Sequence, residues 1–195
     1  MRFLFVGMIE HAMDKHLILD LDGTLIDGNE TEIFPRPHLQ EFLDWCFAHF
    51  ASVSVWTAAP LDRLQTVLDG PLAGRNFLFT WHGAKCVKKW RSSWGGYYSS
   101  GPEMISIKPL RKVWKKYPNL NKKNTLILDD TACTYSRNYG NAVPISRFDK
   151  EDSDEELLKL VEWFPQIMEA ESVRQIEKRD WSDDIESLHA LRRLV

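Results

Sequence analysis

Short apolar runs and amphipathic stripes alternate along this chain. The run His16–Leu21 is apolar apart from His16 and the carboxylate at Asp20, which suits a strand covered on both faces, as in parallel sheets. In "RPHLQEFLDWCFAHF" the positions Leu39, Phe42, Leu43, Cys46 and Phe47 recur at helical spacing just after Pro37. "SVSVW" (52–56) predicts the next strand, and "PLDRLQTVLDG" a helix opened by Pro60 and closed by Gly70. "NFLFTW" (76–81) predicts a third strand, residues 109–117 a helix, "NTLILDD" (124–130) a further strand and "AVPIS" a last one. From Ser153 as N-cap, "SDEELLKLVEWFPQIM" predicts a helix with acids in its first turn, which Pro165 should kink or end. "DWSDDIESLHALRRL" predicts a final amphipathic helix.

Strands alternating with helices predict an α/β fold, a parallel sheet flanked by helices, and in such sheets ligands bind beyond the carboxyl ends of the strands. Asp20, Thr57 and Asp129 all fall at or just past predicted strand ends, so they should meet at one rim although they are far apart in sequence. The expected organisation is one domain over residues 1–195, with a leader (1–12), a β-rich insert (82–104) and a C-terminal helical extension (171–195).

Composition narrows the class. A chain of 195 residues that is 44% hydrophobic can bury a core. The apolar part of "MRFLFVGMI" is too short to span a bilayer, so no membrane partner is expected. Cys46, Cys86 and Cys133 are odd in number and form no C-x-x-C, which argues against a disulfide framework or a zinc site and for a reducing intracellular setting, nucleus or cytoplasm. Net charge is −3, yet residues 84–123 hold eleven Lys or Arg against the single acid Glu103. Such a block is a solvated face or an attractor for phosphorylated partners.

The candidate chemistry lies in carboxylates. Several converging on one spot repel each other unless a hard cation such as Mg²⁺ neutralises them. Asp20-Leu21-Asp22-Gly23-Thr24 resembles the first motif of the haloacid dehalogenase superfamily of aspartate-nucleophile phosphotransferases. Thr57 of "VWTAAP", Lys108 of "SIKPL" and the pair Asp129-Asp130 match its second, third and fourth motifs in order. "RPHLQEFL", "NAVPI" and "FDKEDSDEELLKLVEWF" narrow the resemblance to the FCP/SCP-type, NLI-interacting-factor-like phosphatases of the RNA polymerase II C-terminal domain, over roughly residues 16–168. Small members usually carry Asp-Asn where this chain has Asp129-Asp130.

The resemblance implies a HAD-like fold without a large cap, and Mg²⁺ held by Asp20, the Asp22 carbonyl, Asp129 and Asp130. It implies Asp20 as nucleophile through an aspartyl-phosphate, Asp22 as general acid and base, and Thr57, Ala58 and Lys108 as phosphate ligands. Lys112, Lys115, Lys122 and Lys123 compete with Lys108 for the third motif; Lys108 is preferred because it precedes the helix leading to the last motif strand.

About 33 residues separate the first two motifs, too few for a lid domain, which favours a phosphorylated protein or peptide, with the polymerase C-terminal domain as the implied partner. Trp81, Trp90, Trp94, Tyr97 and Tyr98 alternate with basic residues and either read the substrate or form a small core of the insert. Nucleic acid is not the expected partner, and oligomeric state is left open. Two alternatives stand: a small-molecule or nucleic-acid-end phosphatase, and a non-catalytic binding module of the same fold.

Overall fold

The computed structural model describes residues 14–29, 32–91 and 103–192. Its centre is the first apolar run, which forms strand β1 (His16–Leu19) and pairs in parallel on both sides. One neighbour is β4 (Ser52–Trp56), followed outward by β5 (Thr80–Trp81); the other is β8 (Thr125–Asp129), followed by β9 (Ala142–Pro144). The five-stranded sheet therefore runs β5-β4-β1-β8-β9, entirely parallel, and its order reverses at β1. That reversal opens a crevice at the carboxyl ends of β1, β4 and β8.

Alternation along the strands divides two cores. Leu17, Leu19, Val53, Val55, Leu126 and Leu128 face a larger core closed by helices α1 (Leu39–His49), α4 (Glu156–Glu169) and α5 (Trp181–Arg192). Ile18, Trp56 and Ile127 face a smaller one, closed by Val113 of α3 (Arg111–Lys116) with Phe79, Trp81 and Leu110. Helix α2 (Leu61–Asp69) adds Leu64 and Val67 to the larger core. The C-terminal stretch docks through Trp181, whose ring centroid lies 6.0 Å from that of Trp163.

Several expectations need correction. Of "NFLFTW" only Thr80 and Trp81 are strand; Leu78 and Phe79 still bond to β4 backbone, but as irregular chain. Between the first two motifs lies a small hairpin, β2 (Ile26–Gly28) with β3 (Ile33–Pro35), where only a loop and a helix were predicted. Ser153 is not the N-cap of α4: its hydroxyl donates to Glu151, and Glu155 stands at the cap. Asp154 takes over that end, its carboxylate accepting the Glu156 N–H and two bonds from buried Arg36, at 2.8 and 2.7 Å. A bidentate, buried guanidinium makes this the stronger anchor. Pro165 does not end α4, which runs on to Glu169, because the packing of Trp163, Phe164 and Ile167 outweighs one lost backbone bond. The insert does form short strands, β6 (Val87–Arg91) antiparallel to β7 (Glu103–Ile107), after a 3₁₀ turn at Gly83–Lys85. No helix among the described residues is long and apolar enough to cross a membrane.

Candidate active site

Two strand ends deliver three carboxylates to one point. Asp20 follows β1, Asp129 ends β8 and Asp130 comes next; an oxygen from each lies within 4.8 Å of the others. Asp129 is fully buried and Asp20 nearly so. Buried Lys108 places its Nζ 2.6 Å from Asp20 Oδ1 and 2.8 Å from Asp129 Oδ2. One buried cation among three anions leaves the charge unbalanced: burial, then Asp129, pushes the Asp20 carboxyl up to about 8, with Lys108 opposing. Burial acts to lower Lys108, but Asp20 and Asp129 outweigh it and raise that ammonium. Asp130 is raised by burial and by Asp129, against the Thr131 hydroxyl and Arg147, each 3.1 Å away. Hard oxygen donors short of positive charge fit a divalent cation such as Mg²⁺.

Local structure holds these groups in place. The Asp130 N–H donates to the buried Thr24 hydroxyl at 3.1 Å, which ties the first motif to the fourth. Gly23 has φ +82°, and a Cβ there would come 2.5 Å from Asp130 Oδ2, so only glycine allows this approach. The Lys108 N–H donates to the Thr134 carbonyl at 2.7 Å, and the Asn138 amide donates to the Lys108 carbonyl and accepts from the Leu110 N–H. The loop after β8 thus fixes the backbone that carries Lys108.

Asp22 turns away from the cluster. Its Oδ1 accepts from Arg63 Nε and Nη2 of α2 at 3.1 and 2.9 Å, while Arg63 Nη1 donates to the Asn29 carbonyl. Asp20, Asp22, Thr57 and Ala58 line one cavity of about 350 Å³, walled by Met104 and Ser106 of β7 and by Thr131 and Thr134. Thr57 is buried at the end of β4, its hydroxyl accepting the Ala59 N–H at 3.0 Å. That turn rests on Gly83, where a Cβ would meet the Ala58 carbonyl at 2.4 Å.

The structure therefore brings Asp20, Asp129, Asp130 and Lys108 into contact, with Asp22, Thr57 and Ala58 at the same cavity. Of the basic block, Lys108 is the lysine that pairs with site carboxylates among the described residues. Trp81 is a correction: at 6% exposure it packs edge-on to Trp56 and against Phe79 in the smaller core, so it presents no reading surface. Trp90 is exposed on β6, opposite Met104. Trp94, Tyr97 and Tyr98 lie outside the described residues. Sequence reading missed Arg63, Arg147, Asn138 and Gly83; only the Arg63 spacing, one turn into the helix after Thr57, offered a signal.

The profile of the NLI interacting factor-like phosphatases matches residues 15–174. Ubiquitin-like domain-containing CTD phosphatase 1 of Xenopus tropicalis is 27% identical, the alignment covering 86% of this chain and 54% of that protein. The Arabidopsis thaliana ubiquitin-like domain-containing CTD phosphatase is 28% identical over 86% of this chain and 50% of its own length. This chain thus spans about half the length of the curated relatives it matches. Among solved structures, the fission yeast RNA polymerase II CTD phosphatase Fcp1 superposes with TM-score 0.51 at 13% identity, covering 96% of this chain and 65% of that one. An uncharacterized Listeria monocytogenes protein gives 0.54 at 12% identity over 80% of this chain and 99% of its own. At these identities the likeness carries the fold alone, and the HAD-like α/β arrangement expected from the sequence is borne out.

Proposed function

Because the chain belongs to the NLI interacting factor-like phosphatase family, we propose that it is a Mg²⁺-dependent phosphoserine/threonine phosphatase of proteins or peptides. The observation that carries this reading is Asp20, held by Lys108 beside Asp129 and Asp130 at an open cavity. Asp20, Asp129 and Asp130, with the Asp22 carbonyl, would hold the ion, which when bound offsets the repulsion between carboxylate and phosphate. Asp20 attacks phosphorus; the ester P–O bond breaks and Asp22 protonates the departing serine or threonine oxygen. Asp22 then takes a proton from water, whose oxygen attacks the aspartyl-phosphate, freeing Asp20 and inorganic phosphate. Thr57 and Ala58 receive the remaining phosphoryl oxygens, and Lys108 keeps the nucleophile oriented and its charge compensated. Arg63 anchors Asp22 between these two proton transfers.

A phosphopeptide resembling the polymerase C-terminal domain is the substrate we favour, since the relatives are described as CTD phosphatases and, among the described residues, the cavity is bordered by strand β7 of the antiparallel β6–β7 pair. The test is phosphate release from such peptides beside p-nitrophenyl phosphate, with and without Mg²⁺, and with Asp20→Asn as the blank. Preference for peptides with a dead blank is expected. Cleavage of the aryl phosphate alone would remove the peptide assignment, and an active Asp20→Asn protein would overturn the mechanism.

A further inference from the structure

A second cleft, of about 420 Å³, lies behind the catalytic loop, between Tyr135, Tyr139 and Gly140 on one side and Arg174, Ile176 and Lys178 on the other. Its charge is one-sided. Glu177 is the one acid among its lining residues, and its carboxylate is taken by Arg179 at 2.8 and 3.0 Å. That leaves Arg174, held by one bond from Nη2 to the Tyr139 carbonyl at 3.0 Å, and Lys178. Lys178 is 4% exposed, and its ammonium donates to the Ile176 carbonyl at 2.5 Å. Among the described residues no carboxylate lies within ion-pair distance of it. An ammonium carries three donors, so two remain for a further acceptor beyond the hydrogen bond that the described residues supply. Leaving a buried charge uncompensated is costly, and burial pushes its pKa down to about 8, against the pull of Glu177.

We propose that this cleft is an anion site in which Lys178 and Arg174 receive a phosphate group, and that this phosphate is a second one on the phosphoprotein substrate. The second half of the proposal rests on the phosphatase reading above; the first half does not. Phosphate matches the donors: a tetrahedral oxyanion accepts from the ammonium and from the free edge of the guanidinium together. Position favours the substrate as its source. Thr134 lines the catalytic cavity and Tyr135, the next residue, lines the cleft, so one loop separates the two phosphate positions. Burial, and after it Asp129 and Asp130, raises the Tyr135 hydroxyl pKa. A peptide with one phosphate at Asp20 need only cross that loop to place another at Lys178.

The first experiment needs no turnover. Sulfate is titrated into the whole protein while backbone amide resonances are followed by NMR. Saturable shifts at Gly140 and Lys178 are expected, weakened about tenfold in Lys178→Met, the loss of one charge-assisted contact. Absence of a saturable shift at those amides would overturn the site. Arg174→Gln, a second variant that leaves the buried position alone, should weaken the same shifts. The second experiment compares kcat/KM for singly and doubly phosphorylated peptides. A preference for the doubly phosphorylated peptide that vanishes in both variants, with p-nitrophenyl phosphate hydrolysis unchanged, supports the substrate as source. Sulfate binding without that preference would overturn the substrate assignment and identify the ligand as a free anion.

Discussion

Two buried lysines in this protein face opposite electrostatic fates. Lys108 is fully buried between Asp20 and Asp129, at 2.6 and 2.8 Å, and its pKa rises. Lys178 is 4% exposed, donates to a backbone carbonyl, and its pKa falls to about 8. Solvent exposure is nearly the same; the partners differ. A buried charge is therefore informative through what faces it: Lys108 sits between two carboxylates, whereas Lys178 lines the cleft proposed to take an anion.

Replacing each lysine by methionine tests the contrast directly. Lys108→Met leaves two buried carboxylates without their cation, and should destabilise the metal-free protein by about 3–5 kcal/mol in urea unfolding. Turnover should be lost with it. Lys178→Met removes a charge that the fold does not compensate and keeps the side-chain volume, so stability should be unchanged or higher by about 1 kcal/mol. Equal losses in the two variants would break the comparison, for then Lys178 would have a structural partner equivalent to Asp20 and Asp129.

Gly83→Ala should follow in size. The added methyl must displace the Ala58 carbonyl, 2.4 Å from where the Cβ would stand, and this is backbone rather than a flexible side chain. A cost of about 1–3 kcal/mol is expected, together with a higher KM, because the displaced turn carries Thr57 and Ala58 at the cavity beside Asp20. The shifts at Gly140 and Lys178 on sulfate titration should stay as they are, since neither residue touches that turn.

The same contrast explains what the sequence could disclose. The strand ends and their carboxylates were legible because the sheet rule puts Asp20, Thr57 and Asp129 at one rim whatever the loops do. Lys108 was separable from its neighbours by its position ahead of α3. Lys178 was not: nothing in "QIEKRD" tells a solvated lysine from one that the fold encloses, and the cleft it lines is formed with Tyr135, Tyr139 and Gly140, remote in sequence. Trp81 misled in the opposite way. Its place next to the aromatic insert suggested exposure, but β5 pairs with β4 through Trp56↔Trp81 and turns the ring inward. Asp154 displaced Ser153 at the start of α4 because buried Arg36, remote in sequence, needed a carboxylate partner.

Arg63 supplies the smallest and most specific prediction. Its guanidinium grips Asp22 by two bonds and reaches the Asn29 carbonyl, so it fixes where the Asp22 carboxylate stands without touching the three-carboxylate cluster. The Asp22 side chain is 37% exposed, and a pair this open adds little to stability, about 0–1 kcal/mol. Its effect should appear in kcat. Arg63→Ala should lower kcat three- to tenfold, roughly 0.7–1.4 kcal/mol of barrier, with KM little changed, since Thr57, Ala58 and the carboxylates are left in place. Arg63→Lys keeps the charge but not the two-pronged grip, and should recover only part of the loss. A rise in KM at constant kcat would instead make Arg63 a substrate ligand at the neighbouring cavity that it shares with Asn29 and Asp62. The split between the two constants therefore decides whether the arginine acts on Asp22 or on the incoming peptide.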